Sequence, residues 1–328
     1  MLTNKTLMLA VFSFALFLMA KPAVHAQYTA QLEEKTLPVG EFSQVTVSDN
    51  FEVTLVKGAY SVKVTADQPL APYVQVYVRS KQLYISYDSK SVPKDVKNLY
   101  KGKDAPTPVF RATVFLPELN GLTLKDNATL LAAEEFAGAK VELNVADKAQ
   151  IKSLTLKANK VSANLKKNAQ ATLNLPADKL EFSTEGSTLL KATVKAHDLT
   201  MTSGGSSSLS VMGDVVNLTT VSGNSSKLNW SGKTDKTILQ CDNSSLVALS
   251  GEADTIRIKG ERSSTVDGDA FTAQFVEANL SGSSTVNIAV TRELDATLVG
   301  GSALYYTGTP TFKIGKIVKS TLAPAGTK

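Results

Sequence analysis

The sequence predicts an all-β chain: a single-stranded, right-handed parallel β-helix of about ten coils, closed at its N-terminal end by an antiparallel β cap. Three observations predict it. From residue 122 onward a short pattern returns about every 20 residues. Within that pattern one position, two residues before an aliphatic anchor, is never larger than Ser. Between these positions lie short alternating runs of Val, Ile, Leu, Thr and Ser, such as Leu218-Thr219-Thr220-Val221, which suit strands and not helices.

The chain begins as an address. Lys5 supplies a positive start, Leu7 to Ala20 is an unbroken apolar run, and Val24-His25-Ala26 ends in the small residue that signal peptidase accepts. The run is shorter than the roughly 20 apolar residues of a spanning helix, and no Cys follows it to carry a lipid anchor. Cleavage is expected after Ala26, giving an exported protein with no later segment apolar enough to span a bilayer. Residues 27–39 then read as a linker.

Residues 40–110 read as the cap and first coils. Asp49-Asn50-Phe51-Glu52-Val53 is an imperfect copy of the repeat, with Phe where a small residue belongs. Val74-Gln75-Val76-Tyr77-Val78 and Leu83-Tyr84-Ile85-Ser86-Tyr87 alternate cleanly around a hairpin turn at Arg79 to Gln82. Antiparallel pairing here would cover the open end of a solenoid, which otherwise exposes a templating edge. Residues 88–109 form a Lys-rich polar insertion, expected to be solvated.

Residues 111–310 carry the helix. The anchors are Leu130, Ile151, Ala171, Leu189, Leu209, Leu228, Leu246, Val266, Val286 and Leu304. Two residues before them stand Ala128, Ala149, Ala169, Ser187, Ser207, Ser226, Ser244, Ser264, Ser284 and Ser302. Stacked coils repeat at about 4.8 Å, so an inward position at a tight corner must stay small on every coil. The aliphatic residue two further on faces the same way and builds an apolar ladder. Asn127, Gly186, Gly204, Gly223, Asn243, Gly260, Gly282 and Gly300 are expected to turn the corner. Neither a leucine-rich signature nor a GGxGxD calcium repeat is present. Residues 311–328 read as a short tail.

Little in this chain points to catalysis. One Cys excludes a disulfide framework and any multi-cysteine zinc site. His197 has no nucleophile partner by spacing and reads as a solvated surface residue; Cys241, in a strand-like run, reads as an inert buried thiol. Asp126, Asp147, Glu185 and Asp242 share a column that could offer oxygen ligands to Ca²⁺, but Lys167 and Arg262 share it too, which suits a solvated corner better. No cofactor or metal is expected. Basic residues are mostly scattered Lys, an edge-protecting pattern rather than a nucleic-acid stripe. Tyr84, Tyr87, Tyr100, Lys101 and Trp230 are the candidate ligand contacts, with Tyr305 and Tyr306 as further aromatics able to stack on a sugar or to fill the core.

The stretch 281–310 (SGSSTVNIAVTRELDATLVGGSALYYTGTP), together with Glu41–Val47 and Phe51–Leu55, resembles the head GIN domain family of putative auto-transporter adhesins, DUF2807, of Bacteroidetes-type bacteria. The resemblance spans about residues 40–310. It implies an exported β-helical protein acting in adhesion or surface binding, in the periplasm or at the cell surface, with no assigned catalytic residue; nothing after residue 310 reads as a translocator barrel. The expected function is therefore non-catalytic binding of a glycan or an envelope or host surface protein. A polysaccharide-degrading β-helix enzyme and a polymer-forming envelope scaffold are the alternatives.

Overall fold

The computed structural model describes residues 31–326; the leader lies outside them. The polypeptide enters at β1 (Leu32–Pro38), then runs through β2 (Gln44–Val47), β3 (Glu52–Lys57) and β4 (Ser61–Asp67). A 3₁₀ turn at Ala71–Tyr73 leads to the hairpin of β5 (Val74–Arg79) and β6 (Gln82–Tyr87). A short helix, α1 (Lys94–Asn98), precedes β7 (Phe110–Leu116) and β8 (Gly121–Leu124). Nine long strands follow, one per coil: β9 (Thr129–Val145), β10 (Gln150–Lys167), β11 (Gln170–Gly186), β12 (Leu189–Ser203), β13 (Ser208–Ser222), β14 (Lys227–Cys241), β15 (Leu246–Gly260), β16 (Thr265–Leu280) and β17 (Thr285–Val299). Three shorter ones, β18 (Ala303–Thr307), β19 (Thr311–Val318) and β20 (Thr321–Pro324), finish the chain. The coils stack in parallel into a β-solenoid of about 11 turns.

Each long strand bends once, so the stack presents two ladders. In β13 the inward positions are Leu209, Val211 and Val215, with Gly213 in step between them, then Leu218, Thr220 and Ser222; the two-residue alternation breaks at Val216 and Asn217. The ends of the molecule show the separation directly. The first half of β17 pairs with β18 and its second half with β19. The first half of β9 pairs with β3 and its second half with β8. Ladder one continues from β3 through β7 and β4 to β1; ladder two continues from β8 through β2 and β6 to β5.

The bend demands glycine. Gly213, Gly232 and Gly251 lie in direct register, with φ of 144°, 156° and 115°. A Cβ on any of them would sit 1.7 to 2.0 Å from a carbonyl oxygen of the coil before, which no side chain tolerates.

At the opposite corner the small column is real, with two corrections. Register partners run Ala171, Leu190, Leu209, Leu228, Val247 and Val266, each 19 residues from the last. The inward anchors are thus Leu190 and Val247, not Leu189 and Leu246. Thr188 and Ser245 are buried in the column, while Ser187 and Ser244 face solvent. Those two coils carry two adjacent hydroxyl residues before two adjacent aliphatics, and constant coil length decides which pair turns inward. The column therefore admits Thr as well as Ala and Ser. Of its buried hydroxyls, Ser226 Oγ lies 3.1 Å from Ser203 Oγ, itself 3.0 Å from Ser222 Oγ on the next coil, whereas the hydroxyls of Thr188 and Ser264 have no partner among the described residues.

The corner itself comes in two forms. Asp126, Asp147, Lys167, Gly186 and Gly205 are single left-handed residues, and the following N–H donates to the coil before, as from Lys148 to Asp126 O. From Asn224 onward two consecutive residues are left-handed, and the amide donates to the coil after, as from Ser225 to Asn243 O. Of the expected corner positions, Gly186, Asn243, Gly282 and Gly300 have positive φ. At the corners of Asn127, Gly204, Gly223 and Gly260 the left-handed residues are neighbours one to three places away in sequence. The mixed column is a solvated corner in which opposite charges meet: Lys167 bonds Asp147 and Arg262 bonds Asp242.

Three expectations about the ends need correcting. Residues 32–38 are a strand and not a linker: β1 pairs antiparallel with β4 over its whole length. Residues 311–324 are two ladder strands and not a tail. The Lys-rich insertion is not merely solvated, since it carries α1, buries Val92 and packs Val96 and Tyr100 on the core as it crosses from ladder two to ladder one. The cap is antiparallel at β5–β6, β4–β7 and β1–β4, as expected, but β2 and β3 join it in parallel. Phe51 stands in the small column, pairing its coil with that of Ala128, and fits because its ring turns to Phe110, 5.3 Å away, at the end of the stack.

Candidate binding surface

A broad concavity follows the bend on the N-terminal coils, where each coil passes from ladder one to ladder two. Its floor is Gly138, Ala158 and Ala177, in direct register, with Ala196 at the equivalent place on the next coil. Small residues sit here because the backbone is tightly folded: a Cβ on Gly138 would stand 2.6 Å from Leu119 O. Lys157, Pro176 and Lys195 form one rim; Asn159, Asp178 and His197 form the other. Glu118 and Val216 bound the ends, and the groove encloses about 820 Å³ over four coils. At the ladder spacing that is about 14 Å of axis.

The outer edge of the second rim is an ordered set of charges. Lys160 and Lys179 both reach Glu181, at 2.6 and 3.2 Å. The bond from Lys160 holds the Glu181 carboxyl below the usual carboxylate range. Asp198 accepts from Asn217 at 2.9 Å and faces His197 Nδ1 at 3.1 Å; Asn217 is the larger cause of its lowered pKa. These groups present fixed charge to solvent and leave Lys157 and Lys195 as donors on the facing rim. The rims can hydrogen-bond and ion-pair an extended polymer lying in the groove. Among the described residues no group of three His, Cys, Asp or Glu side chains stands close enough to hold a metal ion.

The candidate contacts separate sharply in space. Tyr84 lies on the outward face of the cap hairpin, stacked on Tyr77 with ring centroids 5.0 Å apart. Its hydroxyl donates to Gln82 Oε1 at 2.9 Å, and Gln82 Nε2 donates to Thr46. This pair is an aromatic platform at the N-terminal end of ladder two. Tyr87 turns instead toward the core, 4.6 Å from Phe110, and burial followed by the nearby Asp49 carboxylate raises its pKa. Tyr100 packs on the core, and Lys101 stands exposed beside it. Trp230 does not serve as a stacking surface: it is 1% exposed, filling the inward column between Val211 and Leu249. A strand residue two places after an inward anchor also points inward, and Leu228 is such an anchor. Tyr306 packs edge-on against Phe312 at 5.2 Å. His197 is exposed and Cys241 is buried, with burial pushing the thiol up to about 12.

Tyr77 and the groove floor were not among the expected contacts. The floor had a signal, since small residues recur at 138, 158, 177 and 196, but the stronger column of the first corner overshadowed it. Tyr77 had none, because stacking across a hairpin depends on register.

Two overlapping stretches, residues 41–215 and 191–310, match the DUF2807 family, described as "Putative auto-transporter adhesin, head GIN domain". Among solved structures, the chain is similar to a putative adhesin from Parabacteroides distasonis ATCC 8503, at 16% identity over 90% of this chain and 98% of that one, with a TM-score of 0.39. It is similar also to a putative adhesin from Parabacteroides merdae ATCC 43184, at 16% identity over 90% of this chain and 96% of that one, again with a TM-score of 0.39. No curated protein is matched by the sequence. The chain belongs to the DUF2807 family of putative auto-transporter adhesins with a head GIN domain.

Proposed function

We propose that this is an exported, non-catalytic surface-binding protein that holds an extended glycan or polypeptide along the groove at the bend. The observation that carries the reading is the groove itself: a floor without protruding side chains, bounded by two rims of opposite polar character, over four coils. A rigid, regular stack suits recognition of a repeating polymer, because each coil offers an equivalent contact at fixed spacing. Family membership supports adhesion over polysaccharide cleavage.

Ala177→Trp fills the groove from its half-buried floor. Binding to an array of host and bacterial glycans, and to envelope extracts, should be retained by the parent and fall at least about tenfold in the variant. Equal binding by both would remove the groove from the reading. A parent that retains no ligand would remove the adhesive reading altogether.

The scaffold reading has one observation of its own. At the C-terminal end Phe312, Ile314, Ile317 and Val318 are exposed on β19, which pairs on one edge only. The opposite end finishes in β1 and β5, which also pair on one edge each, so contact between unlike ends would propagate and contact between like ends would close at two copies. Filaments in solution would favour a polymer; dimers would not.

A further inference from the structure

The two ladders end, at the N-terminal side, in β1 and β5, which are not hydrogen-bonded to each other. Between them lies a cleft of about 420 Å³ that the groove reading does not use. Its walls are apolar: Val64 and Ala66 on β4, Ala71 and Pro72 in the 3₁₀ turn, Val74 and Val76 on β5. This volume falls within the range of small-molecule sites.

Strand β1 closes the cleft with an ordered set of side chains. Residues directly opposite in a sheet project to the same face. Leu37 is opposite Val62, Lys35 opposite Val64 and Glu33 opposite Ala66, and all three of those partners are buried. Leu37, Lys35 and Glu33 therefore all face the cleft side, in the order apolar, cation, anion. Neither Lys35 nor Glu33 has an ion-pair partner among the described residues, whereas Glu34, on the other face, pairs with Lys63 at 2.8 Å. Alternate residues on a strand are about 6.8 Å apart. A purely anionic head group would meet repulsion from Glu33, and a purely cationic one from Lys35.

We propose that this cleft binds a single-chain zwitterionic amphiphile of the phospholipid type, with its tail toward Leu37, its phosphate at Lys35 and its ammonium at Glu33. The inference is independent of the groove.

Two probes of equal chain length separate the charge order from simple greasiness. Dodecylphosphocholine carries its anion, a phosphate, inside and its ammonium outside; dodecyl sulfobetaine carries its ammonium inside and its anion, a sulfonate, outside. Isothermal titration below the micellar concentration, with stoichiometry from native mass spectrometry, should give one dodecylphosphocholine per chain, at least about tenfold tighter than the sulfobetaine. The doubly exchanged variant Glu33→Lys/Lys35→Glu, on an exposed edge strand, should reverse that preference. Val76→Trp should weaken both by about tenfold or more. Failure to find a saturable 1:1 complex overturns the proposal, as does a preference unchanged by the exchange, which would leave Glu33 and Lys35 as inward charges that only blunt an edge. Should Val76→Trp disturb the cap, seen as a changed circular dichroism melt, the exchange variant decides alone.

Discussion

Replacing Gly232 by Ala tests whether the bend is held by backbone geometry. The added Cβ would lie 1.7 Å from Gly213 O and 2.8 Å from its carbonyl carbon. The residue would also hold φ at 156°, a conformation L residues rarely adopt. The backbone term alone costs about 1–3 kcal/mol. Relief of the contact requires the coils to part by more than an ångström, at the expense of inter-coil hydrogen bonds worth about 1 kcal/mol each. We therefore expect a total loss of about 3–5 kcal/mol. Urea unfolding followed by far-UV circular dichroism and by fluorescence reads it. Trp230 is the only Trp, is buried, and sits two residues from the substitution, so its emission reports the damaged coil itself. Gly204→Ala is the matched control, since nothing lies within 4 Å of its Cβ and its φ is not positive. A Gly232→Ala protein as stable as Gly204→Ala would refute the steric account of the corner.

Further expectations follow from the same coils. Ser226→Leu should cost about 1–3 kcal/mol by overpacking the inward column, whereas Ser187→Leu, on a side chain that faces solvent, should leave the urea midpoint in place. Cys241 should resist Ellman's reagent at pH 8 in the folded protein and react fully in denaturant. Because its folded-state value, about 12, lies above the ordinary 9.0, the neutral thiol's contribution is intact below pH 9 and is lost as pH rises from there toward 12. Parent stability should thus fall faster between pH 8 and 10.5 than that of Cys241→Ser, a residue its column already accepts at Ser222 and Ser203. Arg262→Ala breaks an exposed pair with Asp242 and should not move the midpoint, since screened surface pairs contribute little.

The parallel stack was legible because its constraint acts on every coil: a side chain that points inward at the first corner meets its own equivalents above and below. Where the local pattern allowed two alignments, at Ser187-Thr188 and Ser244-Ser245, the five-residue motif chose one and the structure the other. Equal coil length was the better guide, since the motif alignment alternates spacings of 18 and 20 where the ladders keep 19. The Gly213, Gly232 and Gly251 ladder was equally periodic but covers three coils only, too few to stand out. The ends were least legible. A strand that pairs on one edge, such as β1 or β19, needs no repeat and leaves side chains exposed, so its sequence resembles a linker or a tail. The groove was hidden for a different reason: its floor is small through backbone crowding at Gly138, and nothing in a single coil says that neighbouring small residues line up as a channel.

The corner hydrogen bonds place one discontinuity in this otherwise uniform stack. Up to Ser206 the amide that follows the left-handed residue donates toward the N-terminal side; at Ser225, Ser244, Ser263 and Ser283 the amide of the second left-handed residue donates toward the C-terminal side. Between the corners of Gly205 and Asn224, accordingly, the central corner amide bridges in neither direction, and only the flanking bonds from Gly223 N to Ser203 O and from Lys227 N to Ser207 O join the two corners, although the strands β12, β13 and β14 remain registered. A quasi-one-dimensional stack opens where its nearest-neighbour coupling is weakest. This step lies just beyond Ala196, the last floor residue of the groove, so the groove belongs to the N-terminal block, whose end the cap covers, and the uncovered β19 belongs to the other. Binding in the groove should then protect amides of β9 to β12 from hydrogen exchange more than those of β14 to β17, and equal protection of both blocks would show that the reversal does not divide the solenoid.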